Sequence, residues 1–267
     1  MVETATILLH AAVALAAFFQ TVTGVGFGML AGPVILVMMD DPAAVVISTL
    51  MSWLIALVLA PKLARGADRT MLRRLAIGAA LGLPAGLALL ALANTTVLKL
   101  LAGLVIGVST ARMAVATAPD EESAPGMATL TDPSAKAQQG DLIAGGLGGL
   151  FGGALAMPGP TAAARMTGRG FPKAVTRSTM VAFFILVWPV IFAGQALATN
   201  LAWTTLGQAA ALVPTTLCGL VLGQLAAQRI GERLFRRLVI LFLAATAVGL
   251  LANAAHGLLF AAQGADP

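Results

Sequence analysis

Two Gly/Pro-rich phrases hold the residues best suited to chemistry: Gln20-Thr-Val-Thr-Gly-Val-Gly-Phe-Gly-Met-Leu-Ala-Gly-Pro33 and Gly148-Gly-Leu-Phe-Gly-Gly-Ala-Leu-Ala-Met-Pro-Gly-Pro160. The chemistry they suit is the holding of an anion. Glycines let backbone amides turn inward, and amides at the start of a half-helix favour negative charge through unsatisfied donors and the helix dipole. Gly26, Gly28, Gly152 and Gly153 are the leading amide candidates, with Gly24, Gly149 and Gly159 beside them. Pro33 and Pro158 suit half-helix starts, where a missing N–H costs nothing. The plain alternative for the glycines is close helix packing through small faces.

Neutral side chains extend the candidate site. Gln20, Thr21 and Thr23 precede the first break and Thr161 follows the second, each able to bond an oxyanion oxygen. For any threonine the plain alternative is back-bonding to a preceding carbonyl. Ser48, Thr49, Ser178 and Thr179 recur at matching places one helix further on. Arg165 either complements an anion from inside the second motif or snorkels to the surface with Arg169; the cost of intramembrane charge favours snorkelling.

Other chemistries find little support. His10 and His256 sit in different apolar segments without acidic or thiol neighbours, and Cys218 is the single cysteine, so no metal or cofactor is expected. No Asp or Glu lies well inside an apolar segment, which leaves a carboxylate proton relay without a candidate. The P-loop pattern is absent, so transport would be secondary or facilitative. An enzyme is not expected.

The elements that position these residues are membrane spans. Of the 267 residues, 59% are hydrophobic and 10% charged, and mean hydropathy is +0.94. That leaves too little polar surface to coat a water-soluble globule. Apolar runs lie at about 5–39, 43–61, 75–93, 97–118, 142–164, 174–198, 201–227 and 238–262. The first is read as retained rather than as a signal peptide, because Glu3 stands where a basic region belongs. Residues 119–141 read as a polar linker between repeat 1 (1–118) and repeat 2 (142–267).

The halves resemble each other. Gly24 to Pro33 aligns with Gly149 to Pro158; after a five-residue shift Pro42 matches Pro172, Ser48-Thr49 matches Ser178-Thr179 and Pro84 matches Pro214. Charge then predicts topology. Eight simple crossings would split the sixteen Lys and Arg residues seven against nine, with no bias. If segments one and five each enter and return as hairpins folded at the Gly-rich motifs, fifteen share one side and only Lys99 lies opposite. Positive-inside selection favours the second arrangement. The expected fold is an all-α polytopic membrane protein of two inverted-topology repeats, each opening with a Gly/Pro-broken hairpin followed by three transmembrane helices. Both termini are then extracytoplasmic and the linker cytoplasmic, in the cell (inner) membrane. The net charge of +5 becomes an orientation signal, not a nucleic-acid surface.

The two quoted phrases resemble those of the TauE/SafE family of membrane permeases, also called sulfite exporters, and the resemblance covers nearly the whole chain. It implies two related halves around a polar linker, movement of sulfite, sulfoacetate or other sulfonate-like anions, and Gly-rich segments near the permeation path. Thr161 departs from the pattern, standing where a second proline often follows Pro-Gly-Pro. The expected function is secondary or facilitative transport of small sulfur-containing or organic anions, with export favoured by an interior-negative potential. The alternatives are an anion-selective channel and a membrane-embedded assembly or sensor subunit. Expected partners are a small anionic substrate and the lipid bilayer; a homo-oligomer is left open.

Overall fold

Apolar chain in lipid must pair every backbone N–H and C=O internally, and helices do this within one segment. The computed structural model describes residues 2–23, 27–115, 134–226 and 232–263, and within them all regular structure is helical. The first half contains α1 (Val2–Thr23), α2 (Phe27–Met39), α3 (Ala43–Leu63), α4 (Arg69–Leu92) and α5 (Thr95–Val115). The second contains α6 (Ala135–Leu155), α7 (Gly159–Gly168), α8 (Lys173–Ala198), α9 (Trp203–Ala226) and α10 (Glu232–Gln263). Among the described residues, six stretches are long and apolar enough to cross a membrane: Ala43–Pro61, Arg69–Leu92, Thr95–Arg112, Lys173–Ala198, Trp203–Ala226 and Val239–His256. Large apolar side chains such as Leu81, Leu186, Val190, Leu241 and Val248 stand exposed on these helices, as a lipid-facing surface requires.

Both long apolar segments that carry the motifs are broken. Segment one is divided into α1 and α2 and segment five into α6 and α7, so each half reads as two broken pieces and three spans. The packing repeats this order. α1 packs on α9 as α6 packs on α4, α3 packs on α8, and α5 packs on α10; exchanging the first five helices with the last five leaves this set of pairs unchanged. Pro42 and Pro172 immediately precede α3 and α8, while Pro84 and Pro214 lie inside α4 and α9.

Relative directions follow from side-chain register. Gly103 faces Leu251 and Gly107 faces Ala247, so α5 and α10 run antiparallel. Thr49 bonds Gln195 while Gly66, just past α3, abuts Ser178, so α3 and α8 are antiparallel too. α1 and α9 run parallel, with His10 Nδ1 2.8 Å from Thr215 Oγ1 and Ala14 against Gly219. α4 and α6 also run parallel along a seam of small residues. Gly78, Gly82 and Gly86 meet the backbone of Leu142, Gly146 and Leu150, while Gly149 meets that of Ala79. Small residues repeated every fourth position bring two helix backbones together in lipid, where burial of apolar surface supplies no drive.

The polar stretch 119–141 needs correction at its end. α6 begins at Ala135, capped by Ser134, whose side chain accepts from Ala137 N. Residues 135–141 are therefore helix, and Asp141 is fully buried. Its carboxylate receives Arg165 Nε at 2.8 Å, Arg169 at 2.7 Å and Arg74 at 3.0 Å. One carboxylate thus joins the start of α4, the start of α6 and the end of α7. At the α2–α3 connection, Asp40 pairs with Lys99 Nζ on α5 at 2.7 Å. The Lys99 hydrogen bond, assisted by one from Thr95, holds the Asp40 carboxyl below the ordinary carboxylate range.

Candidate functional site

Breaking a helix at membrane depth frees backbone groups, and their new partners define the site. At the first break Gln20 is buried, and its Oε1 accepts from Phe27 N at 3.1 Å, capping the start of α2 across the gap. The Thr21 carbonyl, near the end of α1, accepts from an Arg177 guanidinium nitrogen at 2.6 Å. At the second break α6 ends on Ala156, which takes the left-handed conformation at φ 57°. Ala156 N bonds Gly152 O and Met157 N bonds Phe151 O, closing the last turn.

Gln195 completes that second break. Its side chain is fully buried and its Nε2 donates to Gly152 O at 3.1 Å and Gly153 O at 3.0 Å, while its Oε1 accepts from Thr49 Oγ1 at 2.7 Å. Arg177 and Gln195 both lie on α8, about five turns apart. Arg177 donates to a carbonyl near the end of α1, and Gln195 to two carbonyls near the end of α6.

The two breaks meet. Gly28, in the first turn of α2, lies against Ala156 so closely that a Cβ there would overlap the Ala156 carbonyl oxygen. Around this contact is a cavity of about 20 Å³ lined by Gln20, Phe27, Gly28, Met29, Ser52, Ala156, Met157, Pro158, Gly159, Pro160, Phe184 and Trp188. α7 opens on this cavity with Pro158 as its N-cap. Pro158 and Pro160 have no N–H, so Gly159 and Thr161 carry the first amide donors of α7. The first turn of α2 lies on the same cavity, and the positive ends of both helix dipoles converge there.

Gln20, Gly28, Pro158 and Gly159 are therefore brought to one place. Pro33 and Ser48 line a neighbouring small cavity with Gly32, Leu36, Val45, Ala102, Leu155 and Met157. Thr21 donates back to Ala17 O and Ser48 to Ala44 O, the local bonding that such hydroxyls favour in helices. Thr161 donates to Ala144 O at 2.9 Å, tying α7 to α6. Gly149 packs on α4; Gly152 and Gly153 present carbonyls, not amides, to Gln195. Thr179 accepts from Asp68 N at 2.9 Å and Ser178 abuts Gly66, so this pair sits at the α3–α4 connection. Arg165, 30% exposed, bonds Asp141 and, at 2.9 Å, Ala137 O. Gly24, Gly26 and the Thr23 side chain lie outside the described residues.

The alignment of the motifs also shifts. α1 ends at Thr23, before its Gly-to-Pro phrase, and α2 begins at Phe27, whereas the second interruption lies at the end of its own phrase, between Leu155 and Gly159. Pro33 consequently stands well inside α2, not at its start, while Pro158 caps α7. Identities among abundant Gly, Ala, Leu and Pro matched letters across the halves without matching helix ends. Sequence reasoning missed Gln195, Asp141, Phe184 and Trp188. Gln195 had one available signal, as a lone amide within an apolar run.

Among the described residues, six crossing-length helices accompany two interrupted ones whose ends meet, which defines a multi-pass membrane protein. The chain belongs to the sulfite exporter TauE/SafE family, whose model matches residues 9–250. No curated protein and no solved structure matches it.

Proposed function

We propose that the chain is a secondary or facilitative carrier that exports small sulfur-containing or organic anions, sulfite and sulfonates among them, through a site at the meeting of the two breaks. The observation that carries this reading is the contact of Gly28 with Ala156 beside the first turns of α2 and α7. Two helix starts directed at one interior point favour negative charge there. Antiparallel packing of α3 on α8 and of α5 on α10 supports two units of inverted orientation, the arrangement in which rocking of one unit against the other exposes a fixed site alternately. With fifteen of sixteen basic residues on one side, that orientation puts the termini outside the cytoplasm and the linker within it, in the inner membrane.

The cavity holds only one or two water molecules in this state. A solute of four or more heavy atoms enters when the two break segments separate, which supports a carrier over an open pore. The test is sulfite and methanesulfonate flux into proteoliposomes. Saturable uptake with counterflow is expected, and flux no greater than in empty vesicles across an anion panel would overturn the proposal.

A further inference from the structure

The cavity between the breaks is lined by three aromatic rings and two thioethers, from Phe27, Phe184, Trp188, Met29 and Met157, and among the described residues no Lys, Arg or His side chain lines it. Trp188 is 2% exposed, and its Nε1 is buried without a hydrogen-bond partner. Its ring packs on Phe184 with centroids 5.8 Å apart, which fixes the indole in place. Trp53 Nε1 is also buried and partnerless, but Trp53 does not line this cavity. A buried indole N–H without an acceptor forgoes a hydrogen bond worth making, and tryptophans in such positions ordinarily find one. Gln20 Oε1 and the Ser52 hydroxyl proton are already engaged, by Phe27 N and Ser48 O. Gln20 keeps its Nε2 amide donors, and the Trp188 indole is the donor on a lining side chain that is fully buried without a partner.

Resting on the proposed anion-carrier reading, we infer that this cavity is a site for a singly charged oxyanion with a small apolar body, and that Trp188 Nε1–H is a side-chain donor to it. The charge limit follows from the lining. Desolvation cost rises with the square of charge, and neutral dipoles alone compensate a monoanion far better than a dianion. The aromatic and thioether walls suit the carbon end of an alkanesulfonate, while sulfate presents charged oxygens on every side. For sulfite, the singly protonated form is the one accepted.

The chain has three Trp and no Tyr, so Trp53→Phe with Trp203→Phe leaves Trp188 as sole emitter. Methanesulfonate titrated into this purified variant is expected to change Trp188 emission saturably, with sulfate at least about tenfold weaker. In the otherwise unaltered protein, Trp188→Phe keeps a ring and removes the donor, and should weaken methanesulfonate binding by about tenfold or more, read by thermal shift. Sulfate binding as tightly as methanesulfonate, or an unchanged affinity in Trp188→Phe, overturns the inference while leaving the carrier reading standing. If Trp188→Phe does not fold, the emission titration decides alone, and silence of Trp188 under saturating methanesulfonate is the overturning result. Failure of the unaltered protein to bind or move any anion of the panel removes the carrier reading, and this inference with it.

Discussion

Gly28 and Ala156, from opposite halves of the chain, are in backbone-level contact, and no side chain fits between them. Gly28→Ala therefore forces either α2 or the end of α6 to move. Overpacking of this kind costs about 1–3 kcal/mol. The expected outcome is a lowered melting temperature together with loss of most anion flux in proteoliposomes. Ala156→Gly, by contrast, relieves the left-handed backbone of a residue with a Cβ and should raise stability by up to about 1 kcal/mol.

Gln195 serves two carbonyls and one hydroxyl at once. Gln195→Leu leaves Gly153 O and the Thr49 hydroxyl without this partner, at about 1–3 kcal/mol for each group left unsatisfied, while Gly152 O keeps its bond from Ala156 N. Thr49→Val removes one bond and leaves the Gln195 donors in place, so its effect should be the smaller. Thermal denaturation of both variants in detergent checks the order; equal losses would contradict it.

Asp141 faces Arg74, Arg165 and Arg169 from a fully buried position. Removing one partner of a buried ion cluster costs about 3–5 kcal/mol, because the remaining charges lose their counter-ion. Asp141→Ala is expected to destabilise strongly. Arg165→Ala, whose side chain is 30% exposed, should cost far less, since two arginines still hold the carboxylate. Chemical or thermal unfolding of the purified variants measures the difference.

The Asp40–Lys99 pair gives a pH dependence. Because the Lys99 hydrogen bond lowers the folded Asp40 pKa, its stabilisation is present at neutral pH. It is lost as pH falls through that lowered value. Asp40 is 65% exposed, so screening limits the pair to no more than about 1 kcal/mol. Asp40→Asn should lower the melting temperature slightly at neutral pH and lose less than the parent protein on acidification below the carboxylate range. A scan of melting temperature against pH tests both statements.

Orientation is tested by labelling. Cys218 is the sole cysteine, so in a Cys218→Ser background single cysteines report one position each. Asp41→Cys is expected to react with an impermeant thiol reagent added outside cells, and Arg73→Cys only after permeabilisation. Reaction of both from one side would contradict the proposed topology.

The helical membrane class and the presence of two interrupted helices were legible in the sequence, because hydropathy and breaker residues are local or additive properties. Gln20, Gly28, Pro158 and Gly159 were legible as one set for the same reason: a Gly/Pro interruption announces itself in its own segment. Register was not. Pro33 looked equivalent to Pro158, yet one lies inside α2 and the other caps α7, since the ends of a broken helix are set by which freed groups find partners. Those partners come from afar: Gln195 reaches Gly152 and Gly153, Arg177 reaches Thr21, and Arg165 reaches Asp141. Trp188 likewise reads as an ordinary apolar-run residue until the fold sets its ring beside both breaks. Composition determined that this chain enters a membrane and where it is interrupted. Only tertiary packing decided what the interruptions touch, because a buried polar group is satisfied by whichever donor or acceptor three-dimensional proximity supplies, and sequence separation carries no record of that.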